Sequence, residues 1–220
     1  MRPRFVVCGL IFFAITLASV SAEAAKTRFG PFALNAQAPD EGNMHTLLHW
    51  ATDAQKEKYL RPLCEGTTWS CFAMTEPEVA GSDPTLIQTS AYPDGDEWVI
   101  NGQKIWTSYA DNADWIFCLV RTDGQVKKQA GISFLLVPMD QPGVAVTPII
   151  TMAGDHEVNQ VFLDGARTSV GNRIGEEGQG WSVAMATAGF ERGLMLRSPA
   201  RFQNTARKLA DLYRKTVAEG

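Results

Sequence analysis

Hydrophobic positions along this chain change their period twice. Between residues 44 and 50 they recur at helical spacing, through Met44, Leu47 and Leu48, the one-face pattern of an amphipathic helix. Thr52 and Gln55 have the Thr-x-x-Gln spacing of a capping box, in which each side chain serves the other residue's backbone amide. A second helix therefore opens there, with Tyr59 and Leu60 toward a core and Lys56 and Lys58 toward water. Gly66 offers a left-handed stop.

From Trp69 the pattern alternates. Apolar stretches at residues 86–92 and 98–100 flank Asp94-Gly95, and Asn101-Gly102 is expected to turn the chain again before residues 104–109. Asp-Gly and Asn-Gly pairs are the strongest short-range hairpin signals. Compact apolar runs follow at 115–120, 132–138, 144–150 and 158–163, with a polar surface loop at 122–129. Short strands at regular spacing predict an antiparallel β-sandwich or barrel. After Gly178-Gln179-Gly180 helical spacing returns, through Val183, Met185 and Ala186 and on to Leu209, Leu212 and Tyr213. Pro199 falls inside that stretch and predicts a kink or break.

The opening differs from the rest. Arg2 and Arg4 precede an apolar run over residues 5–20, and Ala22-Glu23-Ala24 follows. Basic start, short apolar middle and small-x-small exit are the grammar of a secretory signal peptide. A mis-assigned start is the rival reading. The expected organisation is thus a leader or mis-assigned start (1–25), a helical segment (26–67), a β domain (68–170) and the start of a second helical region (171–220).

Composition narrows the function classes. With 45% hydrophobic and 20% charged residues the chain is of the globular kind. A net charge of -4 offers no basic surface for nucleic acid. Beyond Cys8 there are Cys64, Cys71 and Cys118, an odd set with no CxxC spacing, which suits buried thiols better than a disulfide framework. His45, His49 and His156 show no ligand spacing, so no metal site is expected.

Two motifs carry candidate chemistry. Residues 72–83 read Phe-Ala-Met-Thr-Glu-Pro-Glu-Val-Ala-Gly-Ser-Asp. A strand end there offers the Thr75 hydroxyl, and the Gly81-Ser82 corner allows close approach to a phosphate. Residues 102–108, Gly-Gln-Lys-Ile-Trp-Thr-Ser, set an indole that can stack on a flat heterocycle beside the Ser108 hydroxyl. Without further context Trp106 reads equally well as a buried strand residue, Thr75 and Ser82 as turn residues, and Asp83 as a loop cap.

In order and spacing, the paired helices, the Thr-Glu-Pro loop, the Asn-Gly-Gln-Lys-x-Trp strand and the Gly-Glu-Glu-Gly-Gln-Gly-Trp segment resemble acyl-CoA dehydrogenases, from about residue 38 to residue 213. The resemblance implies an α+β protein whose antiparallel, β-barrel-like middle domain is flanked by helices. It also implies FAD, an acyl-CoA thioester substrate, α,β-dehydrogenation, an electron-transfer flavoprotein or similar acceptor, and a homo-oligomer. Met74 and Thr75 would contact the flavin ring, with Phe72 beside them. Gly81 and Ser82 would meet the FAD pyrophosphate, with Ser82 alternatively on the acyl-CoA side. Trp106 and Ser108 would flank the isoalloxazine and bond its edge.

The loop over residues 75–83 is one residue longer than in the commonest members, which resembles a divergent branch. The usual carboxylate base belongs to a helical region expected beyond this chain. A minority of members place a glutamate where Glu191 stands, although Glu191 and Arg192 also read as a helix-surface or subunit-contact pair. An inactive FAD- or CoA-ester-binding remnant and an acyl-CoA oxidase remain alternatives. The resemblance and the odd thiols point to the cytosol, mitochondrion or peroxisome, whereas the leader points to export.

Overall fold

The protein is described here from a computed structural model covering Lys26 and residues 38–81, 83–191 and 200–218. The leader, Ser82 and Pro199 lie outside the described residues. Two compact units are distinguished, residues 38–190 forming the larger.

Helix α1 (Asp40–Trp50) comes first, and then α2 (Asp53–Gln55) runs through a π-helical segment (Lys56–Leu60) into α3 (Arg61–Glu65). The expected capping box is present: Thr52 N donates to Gln55 Oε1 at 2.9 Å, and Gln55 N to Thr52 Oγ1 at 3.3 Å. Gly66 ends the run at φ 68°, a conformation L side chains rarely take. Tyr59 is buried and Leu60 is half-buried against the same core, as the helical spacing requires.

Eight strands follow: β1 (Ser70–Ala73), β2 (Ser90–Asp94), β3 (Glu97–Ser108), β4 (Trp115–Arg121), β5 (Ile132–Pro138), β6 (Val144–Ile150), β7 (His156–Ser169) and β8 (Arg173–Ile174). They form one sheet in the order β6-β7-β3-β2-β4-β5-β8, with β1 added on β4. Three expectations are corrected here. First, the hydrogen-bonded path runs from β6 to β8 without closing, so the sheet is not a closed barrel. The Thr168 hydroxyl of β7 does reach the Leu136 carbonyl of β5 at 2.6 Å, a side-chain link across the fold rather than a ladder.

Second, the sheet is not wholly antiparallel. Strand β1 lies parallel to β4, and β2 meets the far end of β4 in a single parallel pair, Ser90 with Arg121. The long connection from β1 to β4 contains the whole β2–β3 hairpin, so nothing forces β1 and β4 antiparallel. Third, Asn101-Gly102 makes no turn. It lies inside β3 at a register shift against β7, and Asn101 Oδ1 accepts from Gly165 N at 2.8 Å. A Cβ on Gly102 would lie 2.6 Å from the Thr89 Cα, so the glycine serves a close backbone approach.

The apolar runs explain where the sheet sits. In β4, Ile116, Cys118 and Val120 face one core, while Phe117 and Leu119 face another. In β5, Leu135 and Val137 join the first core, and Ile132, Phe134 and Leu136 join the second. Strands covered on both faces read as continuous hydrophobic runs. The first core is shared with Trp98, Ile100, Val161 and Leu163 of β3 and β7, and the second with Leu47, Tyr59 and Leu63 of the helices.

Helix α4 (Gly180–Glu191) adds Val183 and Ala184 to that second core. Its first residue touches β5 so closely that a Cβ on Gly180 would lie 2.4 Å from the Ser133 carbonyl carbon. The smaller unit contains α5 (Ala200–Ala218), where Asn204 Nδ2 donates to Lys26 O at 2.7 Å. On α5, Phe202, Leu209, Leu212, Tyr213 and Val217 are exposed. Of the three cysteines among the described residues, Cys71 and Cys118 are buried free thiols as expected, but Cys64 is exposed.

Candidate ligand-binding site

The first motif occupies an excursion from the edge of β4. Strand β1 follows that edge to Ala73, the chain departs, and β2 rejoins the same edge at Ser90. Residues 74–89 are therefore a loop pinned at both ends to one strand. Asp83 caps the short 3-10 turn inside it, accepting from Thr85 N at 3.2 Å and from the Thr85 hydroxyl.

Glu76 closes the excursion. Its Oε2 accepts from Gln88 N at 2.6 Å and its Oε1 from Thr89 N at 3.0 Å, so one carboxylate joins the start of the loop to its end. The same Oε1 takes Lys104 Nζ of β3 at 2.8 Å, with the two side chains 4% and 0% exposed. Burial pushes the Glu76 carboxyl up. The Lys104 ammonium and the hydrogen bonds it accepts pull harder, leaving it below the usual carboxylate value.

Lys104 also donates to the Met74 carbonyl at 3.3 Å, and Ile105 N donates to the Thr75 carbonyl at 3.0 Å. Consecutive residues of β3 thereby hold consecutive residues of the loop. Trp106 comes next. In an unbroken strand it would share a face with Lys104. Instead, Lys104 pairs with Val161 and Thr107 with Asn159, so two residues oppose one and the strand bulges. Trp106 adopts φ 62°, and its side chain is 57% exposed while Lys104 is buried. A bulky residue at positive φ is a genuine outlier, of the kind that clusters at ligand sites.

The hydroxyls of Thr75 and Ser108, both half-buried, make no hydrogen bond among the described residues. Beyond Ser108, the buried Asn159 supports the strand end. Its Nδ2 donates to Thr107 O and Asp111 Oδ1, each at 3.2 Å, and its Oδ1 meets His156 Nε2 at 2.8 Å. A cavity of about 410 Å³ beside Asp111, Met139, Val144 and His156 lies off this face and includes none of the candidate residues.

The predicted residues thus divide. Met74, Thr75 and Trp106 are brought together by the loop–strand contacts, and Ser108 lies one strand step further. Phe72 packs on Phe134, with ring centroids 6.1 Å apart, which accounts for it as a core residue. Gly81 is exposed, and a Cβ there would meet nothing within 4 Å, so no protein contact requires the glycine. Ser82 is outside the described residues. Glu191 is the last residue of α4. Glu176 and Glu177, expected as a solvated face, lie by Arg173 at 3.1 and 3.9 Å.

Sequence reading missed Glu76 and Lys104 as a pair. The available signal was a lone lysine on the inward positions of an apolar strand, with a glutamate in the adjoining motif. An uncompensated ammonium is not buried, so such a lysine needs a partner.

An exposed indole at positive φ, on a strand segment whose neighbours Thr75 and Ser108 carry hydroxyls unbonded among the described residues, suits a flat heteroaromatic group with hydrogen-bonding edges. Residues 71–165 match the acyl-CoA dehydrogenase middle-domain family. That stretch is an acyl-CoA dehydrogenase middle domain. The chain is 42% identical over 191 residues to the acyl-CoA dehydrogenase IpdE1 of Mycobacterium tuberculosis, an overlap of 83% of this chain and 49% of that protein. It is 38% identical over 182 residues to acyl-CoA dehydrogenase family member 11 of Gallus gallus, covering 78% of this chain and 23% of the relative.

Among solved structures, the Tcur3481-Tcur3483 steroid ACAD superposes with a TM-score of 0.72 at 35% identity, over 79% of this chain and 45% of that one. The acyl-CoA dehydrogenase from Geobacillus kaustophilus gives a TM-score of 0.68 at 31% identity, over 78% and 45%. The chain therefore spans about half the length of the curated IpdE1 relative it matches. The family is flavin-dependent.

Proposed function

We propose that this chain provides the flavin-facing β domain of an FAD-dependent acyl-CoA dehydrogenase acting on an acyl-CoA thioester. The observation that carries this reading is Trp106, exposed at positive φ in the β3 bulge, with the Thr75 backbone tied to the residue before it and Ser108 two residues on. When bound, FAD supplies the hydride acceptor for removal of two hydrogens across the α and β carbons. The residues of this chain then have distinct tasks. Trp106 covers one flank of the isoalloxazine and excludes water from it. Thr75 and Ser108 offer hydroxyls to its polar edge, and Met74 packs beside it. From the sequence motif, Gly81 and Ser82 would meet the pyrophosphate, with Ser82 alternatively on the acyl-CoA side. Glu191, at the end of α4, is the candidate for the base that takes the α-proton.

Substrate class and partners are read from relatives. One structural relative, at 26% identity and a TM-score of 0.67, is a glutaryl-coenzyme A dehydrogenase with glutaryl-CoA. Another, at 37% identity, is the ChsE4-ChsE5 complex of Mycobacterium tuberculosis, which supports assembly with a second acyl-CoA dehydrogenase-type subunit, a like copy included. An electron-transferring flavoprotein at 27% identity is consistent with a flavoprotein acceptor. A structural relative at 30% identity is the prolyl acyl carrier protein oxidase AnaB, which keeps the oxidase as the second reading. The compartment proposed is intracellular, because a flavin site that folds and loads FAD in the cytosol is ill suited to export as an unfolded chain.

The test is FAD titration of the purified protein, followed by addition of acyl-CoA esters under argon and in air. Bound flavin that bleaches with an acyl-CoA under argon supports the reading. Rapid oxygen consumption moves it to the oxidase, and flavin binding without bleaching moves it to a non-catalytic binding module. Absence of any flavin binding rejects it.

A further inference from the structure

We propose that the buried Glu76–Lys104 pair is a positioning device for this ligand face, holding Met74 and Thr75 in register with Trp106. The proposal rests on the flavin reading above and goes beyond it by assigning a role to two residues that touch no ligand themselves.

The connections are short and sequential. Glu76 ties both ends of the 76–88 segment through the Gln88 and Thr89 amides, at 2.6 and 3.0 Å. Lys104 carries that carboxylate at 2.8 Å and the Met74 carbonyl at 3.3 Å. Ile105, the next residue, takes the Thr75 carbonyl at 3.0 Å, and Trp106, the one after, points its indole outward from the bulge. Loop and indole are therefore fixed to the same three residues of β3. The Met74 and Thr75 carbonyls are both spent inside the protein, while the Thr75 hydroxyl makes no hydrogen bond among the described residues.

Stability alone is a poor reason for such a pair. Two charges with side chains 0% and 4% exposed lose most of their hydration, and apolar replacements of similar volume often leave a protein equally stable or more so. What an apolar pair cannot do is bind two amides and a carbonyl at fixed positions. Directional bonds set the loop's register against β3, and a loop edge displaced by an ångström meets a rigid ring system badly.

The test compares wild type with E76Q/K104M, which removes both charges while keeping similar shapes, and with E76D, which keeps the charges but withdraws the carboxylate by one methylene. Thermal unfolding shows whether each is folded. FAD titration then reads affinity, and quenching of flavin fluorescence reads stacking against Trp106, a signal that a merely structural pair would not move. Expected is a folded E76Q/K104M that binds FAD about tenfold more weakly with reduced quenching, and E76D shifted in the same direction. If E76Q/K104M does not fold, E76D alone decides. Wild-type affinity and quenching in a folded variant overturn the positioning role and leave the flavin reading intact. A wild type that binds no FAD rejects the flavin reading, and the positioning role falls with it.

Discussion

The hydroxyls of Thr46 and Thr187 lie 2.6 Å apart in the buried interior, joining α1, which precedes the sheet, to α4, which follows it. Both helices pack on the core formed by Phe117, Phe134 and Leu136, so the bond fastens distant parts of the sequence over one face of β4 and β5. Thr187→Val keeps the shape and removes the bond. Its cost should be about 1 kcal/mol, read as a lower urea midpoint with an unchanged slope.

Gly180 gives a prediction whose sign opposes local propensity. At a helix position Ala is favoured over Gly by about 1 kcal/mol. Here the new Cβ would come within 2.4 Å of the Ser133 carbonyl carbon and 2.7 Å of its Cα, both backbone atoms that cannot step aside cheaply. Gly180→Ala should therefore destabilise by roughly 1–3 kcal/mol. A rise in melting temperature would show that α4 can lift from β5 without penalty.

Acid stability should carry the imprint of Glu76. Its carboxyl sits below the ordinary value of 4.5 in the folded protein. The ionised form is thus favoured by folding, and its contribution is complete above pH 4.5 and lost as pH falls below it. Wild type should lose urea resistance more steeply below pH 4.5 than E76Q/K104M. Equal slopes would mean that other carboxylates dominate the acid limb. Glu76→Gln alone leaves Lys104 buried and unpaired, and should cost about 3–5 kcal/mol at neutral pH.

Trp106 should behave unlike a core aromatic. Deleting a buried ring such as Phe134, which is 0% exposed, should cost about 3–5 kcal/mol. Trp106→Gly removes a largely exposed ring and places glycine where φ is 62°. Stability should change by no more than about 1 kcal/mol. FAD retention should weaken about tenfold. Calorimetry on the flavin-free protein separates the two effects, and a large drop in its melting temperature would make Trp106 structural after all.

Thiol chemistry checks the burial pattern. Burial pushes the Cys118 thiol up to about 11 and the Cys71 thiol well above its usual value, while Cys64 is exposed. Iodoacetamide at pH 8 should label Cys64 in the folded protein, with Cys71 and Cys118 reacting only in urea. Peptide mapping distinguishes the sites.

The sequence by itself determined the local elements. The capping box at Thr52 and Gln55, the stop at Gly66 and the β2–β3 hairpin, whose turn residues are Gly95 and Asp96 rather than Asp94 and Gly95, need only nearby residues, so spacing and residue type reveal them. The two-sided burial of β4 and β5 is likewise visible as unbroken apolar runs. Motif order was enough to indicate the family. What only the tertiary structure decided involves partners far apart in the chain. Asn101-Gly102 has the chemistry of a turn, yet the Thr89 backbone and the pairing with β7 make it a bulge. An inward position on β3 marks Lys104 as needing a partner, but not which one, because Glu76 reaches it across 28 positions. The outward aim of Trp106 depends on where β3 loses register with β7. Propensity acts over a few residues, whereas register, bulges and buried ion pairs are settled when separate strands meet.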